Sequence, residues 1–369
     1  MASRAGRRVS VSGKSAKASR RSQKNDWRSL DRFMLCEDID WIGSMAGAAS
    51  KSSVAAPLGL ANLPYFARVT HEGLDLARRQ RPVDAARFEM ANAKVVAAAR
   101  HSTKLLDDTH KNFASITAEF DGIRADHQSH FGPLMSIFTV DGWLIGSSRT
   151  TSYQTNWTID KATEGPREQN PHYVASFEMG RKLAEISLLF GHEPRTQELG
   201  TDFASADFKM EDVDTADFAA AHLGDALPVS VADVLIMVEA AVNTALVVLE
   251  PASTRFRNPV FRARFVAASH ALSAIQRVLA EWETSVRPGP ALSAVVTSAD
   301  AASLLGMRAL RNRAMHYGIP SALNNLGPRL DGYGLVEATT DGLDFQRVDG
   351  LTVSLLQRIS EAFGISSSR

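Results

Sequence analysis

Over residues 259–284 the large apolar side chains Phe261, Phe265, Leu272, Ile275, Leu279 and Trp282 fall within an arc of about 100° at 100° per residue. A helix of that length with one apolar face has to pack against other elements. Partners with helical periodicity are predicted at 172–190, 229–249, 298–317 and 350–363, most of them joined by short loops. Amphipathic helices so closely spaced in sequence predict a bundle. The fold expected is therefore mainly α, with a C-terminal up-and-down helical bundle over 167–369.

Upstream, 26–166 is expected to be an N-terminal helical region. Short helices and loop are expected over Asp26–Phe66, where apolar clusters alternate with the Gly/Ala/Ser stretch Gly43–Pro57. From Pro82 to about His127 one long helix or two nearly continuous ones are expected. Leu106, Phe113, Ile116, Phe120 and Ile123 make a heptad-like stripe there. Asp141-Gly142, between Ile137-Phe138-Thr139-Val140 and Trp143-Leu144-Ile145, is a two-residue turn signal and predicts a small β-hairpin near 137–146.

At 369 residues the chain is long enough for two domains at roughly 100 to 200 residues each. Its formal charge is zero, but residues 1–25 hold eight basic residues and no acid. The remainder keeps 33 of the 41 basic residues against 41 acidic ones, a net of minus eight. This tail lacks an apolar period and is expected to be disordered. It either contacts nucleic-acid phosphates without sequence preference or serves as a solubilising leader. Cys36 is the single cysteine, so no intrachain disulfide forms. The N-terminus has no hydrophobic core of a secretory signal. The longest apolar run, Val231–Leu249, is interrupted by Asp233, Glu239 and Asn243, so no membrane span is expected. A cytoplasmic protein is expected, in which the Asn156-Trp157-Thr158 sequon means little.

The segment Leu304–Gly318 is the most informative for chemistry. On a continuous helical wheel Arg308, Asn312 and His316 climb one face at i, i+4 steps, and Arg311 falls among Leu304, Met307 and Met315. A cation in that apolar arc needs a partner. Gly318 and Pro320 stop the helix just after His316, near the negative end of its dipole. An arginine to hold a phosphate oxygen and a histidine to move a proton suffice to cleave RNA, because the 2′-hydroxyl is an internal nucleophile.

Arg311-Asn312-Arg313-Ala314-Met315-His316 resembles the signature of the HEPN superfamily: an arginine, a polar residue and, after four to six intervening residues, a histidine late in a helical bundle. The resemblance covers the C-terminal half only. It implies a metal-independent endoribonuclease without cofactor, of the kind found among toxins and antiphage defence effectors, acting as a homodimer with a shared cleft. Arg311 and His316 would be catalytic, supported by Asn312. Arg308, Arg313 and Tyr317 are the neighbouring candidates for RNA contact, and an antitoxin or other regulatory protein is a possible partner. The alternative is a non-catalytic bundle that binds protein or nucleic acid.

Glu239 and Asn243, at i, i+4 in the most apolar helix, are candidate supports, with Glu239 expected to pair with Arg311. Other signals are weaker. Ser12-Gly13-Lys14-Ser15 has Arg8 where a phosphate loop needs its first glycine. His127 and His130 beside Asp126 have metal-compatible spacing but are expected to be a surface cluster, His172 and His192 are isolated, and His270 is expected at the surface. The acidic stretch Asp202, Asp207, Glu211, Asp212, Asp214 and Asp217, interleaved with Phe203, Phe208 and Phe218, is either a docking segment for a basic partner or a solvated loop tethered by aromatics.

Overall fold

The computed structural model describes residues 26–50, 55–104, 112–156, 158–160, 171–199, 206–320, 323 and 325–364. The basic tail, Ser12-Gly13-Lys14-Ser15, Leu106, Trp157, Asp202 and Phe203 lie outside them, as does the side chain of His172. The fold is mainly α with one small antiparallel sheet.

Two long helices open it, α1 (Asp26–Ser50) and α2 (Ala55–Gln80), where short helices and loop were expected. The small residues of α1 explain the difference. A Cβ on Gly43 would sit 3.6 Å from the Thr196 methyl, so the irregular segment 192–199 comes close to the helix there. It is tied there by Arg195 N–H to Asp40 Oδ1 and by Gln197 N–H to Ser44 Oγ, each 2.8 Å.

Of the one long helix or two nearly continuous ones expected after Pro82, two separate helices form. A 3-10 turn (Pro82–Phe88) leads to α3 (Ala93–Ser102), and α4 (Phe113–Phe131) starts anew on Asn112, whose side chain caps Ser115 N–H. The stripe on α4 holds: Ile116 and Phe120 are fully buried, and Phe113 and Ile123 pack against them.

Strands β1 (Leu134–Val140) and β2 (Trp143–Ser147) form the hairpin. Asp141 (φ 50°) and Gly142 (φ 81°) both take the positive φ that a tight hairpin turn demands. The acidic stretch supplies a third strand, β3 (Phe208–Asp214), antiparallel to β1 with Leu134 opposite Asp214 and Val140 opposite Phe208. It is an outer strand in the order β2-β1-β3, and Lys209, Glu211 and Asp212 are exposed there. Charges on an outer strand discourage further pairing.

Helix α5 (Ser148–Thr155) follows β2, and α6 (Pro171–Leu189) packs on α1, α2 and α3. Next come α7 (Thr215–Leu223) and α8 (Val229–Asn243), the latter continued by a π-helical turn, Thr244–Val248. Helix α9 (Arg257–Trp282) lies against α8. Both are buried well beyond one face: Arg262, Arg264 and His270 of α9 are interior alongside the predicted stripe. His270 is therefore no surface residue, and its Nδ1 meets Thr103 C=O at 2.5 Å. Val229–Val248 is long and apolar enough to cross a membrane, but 83% of its most apolar window is buried inside the protein. Short helices α10 (Gly289–Val296), α11 (Ala299–Gly306), α12 (Arg308–Met315) and α13 (Leu335–Thr339) precede α14 (Phe345–Ala362). The main core runs from Leu30 to Phe363 and takes residues from both sides of position 166, with a small second cluster around Leu63, Ala67, Val96, Ala99 and Met179.

His127 is interior too, with Nε2 3.0 Å from Ser152 Oγ. Burial first, and then the Arg149 charge, push its imidazole down to about 4. The unfolded chain thus takes up a proton near pH 6.5 that the native protein refuses until about pH 4. Stability should fall as pH drops through this window, by about 3 kcal/mol from this residue. Asp233, which burial pushes up to about 6, acts in the opposite sense, so the informative comparison is with His127→Gln. Urea denaturation at pH 7 and pH 4.5 should show a smaller acid-induced loss in that variant than in the wild type.

Candidate functional site

The helix expected over 298–317 is broken. Helix α11 ends at Gly306, Met307 (φ −79°, ψ 48°) turns the chain, and α12 runs only from Arg308 to Met315. Wheel positions therefore do not carry across Met307. Leu310, Ala314 and Met315 form the buried face of α12, Arg308 and Asn312 are exposed, and Arg311 and Arg313 are half-buried. At 100° per residue Arg311 falls between Ala314 and Met315, within the arc of the buried residues. His316 has left the helix with extended backbone (φ −120°, ψ 149°), so the Arg308–Asn312–His316 ladder ends at Asn312. Asn312 still caps the turn, its carbonyl accepting His316 N–H at 3.1 Å.

Once outside the helix, the segment 314–319 is held by the first two helices of the chain. From α1, Asp31 accepts Gly318 N–H at 2.9 Å and Ile319 N–H at 3.3 Å. Asp38 receives the Tyr317 hydroxyl and pairs with Arg262 of α9 at 2.9 Å. From α2, Arg68 donates to Ala314 C=O and Arg79 to Tyr317 C=O, each at 2.8 Å. Glu72, between them on α2, accepts His316 Nδ1–H at 2.8 Å. Spacings of seven on α1 and of four and seven on α2 place these groups on one helical face each.

Glu72 is buried and is also gripped by Arg100 of α3, whose Nε and a terminal N–H reach Oε1 at 3.0 and 2.7 Å. Burial alone would raise its carboxyl. The hydrogen bond from His316, the adjacent His71 imidazole and the Arg100 charge outweigh it and hold the group well below the usual carboxylate range. An ionised carboxylate at Nδ1 requires the proton there, which leaves the Nε2 lone pair as the basic site. The His316 side chain is 42% exposed, so it is open to solvent. Arg308, Arg311 and Arg313 on the preceding helix add positive charge, and Arg313 also braces Gly318 C=O at 2.6 Å.

Two expectations are corrected here. Tyr317 is interior, with the Arg262 guanidinium 5.1 Å from its ring centre, so its side chain is not exposed for contact with a ligand. Glu239 has His222 as its partner, Nε2 to Oε2 at 2.6 Å, and does not anchor Arg311. Asn243 donates to Leu144 C=O and accepts from Ser360, tying α8 to β2 and α14. Helix α12 packs instead on α9 and α13.

Glu72, Arg100, Asp31, Asp38, Arg68 and Arg79 were not read from the sequence as site residues. The available signal was a charged residue at helical spacing among buried apolar ones, such as Asp31 and Asp38 between Leu30, Met34, Leu35 and Ile42. Among the described residues, no group of three or more His, Cys, Asp or Glu side chains gathers as a metal site.

Gly318 takes φ +131°, and a Cβ there would stand 3.6 Å from the Arg79 guanidinium. Gly318→Ala should cost roughly 1–3 kcal/mol in thermal or chemical denaturation, because only glycine accepts that backbone without strain. Comparison with protein-family models, with curated proteins and with solved structures gives no match for this chain.

Proposed function

We propose that this chain is a cytoplasmic endoribonuclease of HEPN type that cleaves RNA through the 2′-hydroxyl without a metal, in the manner of a toxin or antiphage defence effector. The observation that carries the reading is His316, half-open to solvent, with Nδ1 fixed on a buried, ionised Glu72 and an arginine-bearing helix immediately before it. His316 Nε2 takes the 2′-hydroxyl proton, Arg311 and Arg308 bind the phosphate, and Arg313 and Asn312 keep the turn in shape. The HEPN resemblance adds a homodimer and an antitoxin or other regulatory protein as partners.

A non-catalytic bundle is favoured by the same contact seen differently, since His316–Glu72 also fastens the end of α12 to α2. The two readings separate in one experiment: cleavage of an RNA oligonucleotide by the wild type and by His316→Ala, each with a chelator present. Chelator-resistant cleavage that disappears in the variant supports the ribonuclease. Cleavage that the chelator abolishes, or that survives the substitution, refutes it.

A further inference from the structure

Phosphodiester transesterification needs two proton transfers. A base removes the 2′-hydroxyl proton as the 2′-oxygen–phosphorus bond forms, and an acid protonates the 5′-oxygen as its bond to phosphorus breaks. His316 provides one such group. A dimer with a shared cleft would take the other from the partner, but this protomer already holds a second imidazole at the same carboxylate.

His71 precedes Glu72 on α2. Its Nδ1 lies 3.6 Å from Glu72 Oε1 and 3.6 Å from Asp75 Oδ2, while His316 occupies Glu72 Oε2. One carboxylate thus has His316 hydrogen-bonded at Oε2 and the His71 imidazole 3.6 Å from Oε1, where Arg100 is bound, with the buried His71 Nδ1 left without a hydrogen-bond partner. The His71 side chain is 34% exposed, comparable to His316 at 42%. The charged groups around this pair are Arg100, on Glu72 Oε1, and Arg78, 3.0 Å from Asp75.

We infer that His71 is the second proton-transferring residue, the general acid for the leaving 5′-oxygen, so that one protomer carries both halves of the proton traffic. This rests on the ribonuclease reading. In the first step the proton leaves the 2′-hydroxyl for His316, and one leaves His71 for the 5′-oxygen. The products are a 2′,3′-cyclic phosphate and a 5′-hydroxyl, and solvent exchange restores both imidazoles with no net redox change.

The test compares the wild type, His71→Ala and His316→Ala on an RNA oligonucleotide and on a nucleoside 3′-(nitrophenyl phosphate), whose leaving group needs no proton. His71→Ala should lose at least about 100-fold on RNA, and its pH–rate profile should lose the basic limb. The same variant should keep the aryl ester rate within a few fold, which also shows that it is folded. His316→Ala should lose both substrates. His71→Ala that cleaves RNA normally, or that loses both substrates alike, overturns the inference while the ribonuclease reading stands. Wild type inactive on both substrates overturns the two together.

Discussion

His316→Ala should lower RNA cleavage by about 10³–10⁴-fold, within the range that a positioned acid or base contributes. Most of this loss should fall on kcat, since the α12 arginines proposed to bind phosphate are untouched. Glu72→Gln should share a large part of it. The amide keeps the shape of the side chain but loses the charge that fixes the His316 tautomer, and it leaves Arg100 facing a neutral group. Single-turnover rates across pH 5–9 provide the measurement. A Glu72→Gln enzyme with an unchanged rate and pH profile would show that Glu72 only fastens the two segments together.

The largest expected effect on stability is at Asp38. Asp38 and Arg262 are both fully buried and 2.9 Å apart, and Asp38 is also the acceptor for Tyr317. Removing one member of such a pair leaves the other charged, desolvated and alone, at a cost of about 3–5 kcal/mol. Asp38→Ala should therefore unfold at markedly lower denaturant concentration. Adding Arg262→Met should recover part of the loss, because the orphaned charge goes with it. The double variant should still cleave poorly, as the Tyr317 hydroxyl has lost its anchor on α1. A single variant as stable as the wild type would show that the pair adds nothing over its desolvation.

The legible parts of the fold were those decided by local chemistry. Asp141-Gly142 announced its turn because both positions accept positive φ, and α9 announced itself by its periodicity. Strand β3 was hidden because an outer strand with both faces wet needs no alternation, so Lys209-Met210-Glu211-Asp212 looks like a loop. The wheel over 298–317 failed at Gly306-Met307, where the glycine that ends α11 is the local signal for the break. In the candidate site, His316 and the arginines could be read from their spacing. Glu72 and Asp38 could not, because their meaning depends on partners hundreds of residues away. Glu239 was the nearer miss: its partner His222 is only 17 positions earlier.

The clamp on residues 314–319 also sets a schedule. Its contacts join positions 238 to 288 apart, so α1 and α2 are made long before residues 314–319 can meet them, although Glu72 finds Arg100 only 28 positions on. At ribosomal speeds of roughly 5–20 residues per second, that wait lasts on the order of ten to sixty seconds. Throughout it the nascent chain carries Glu72 without His316. The imidazole and its carboxylate first meet when most of the protein has been synthesised, and a product that stops before residue 316 carries only the carboxylate.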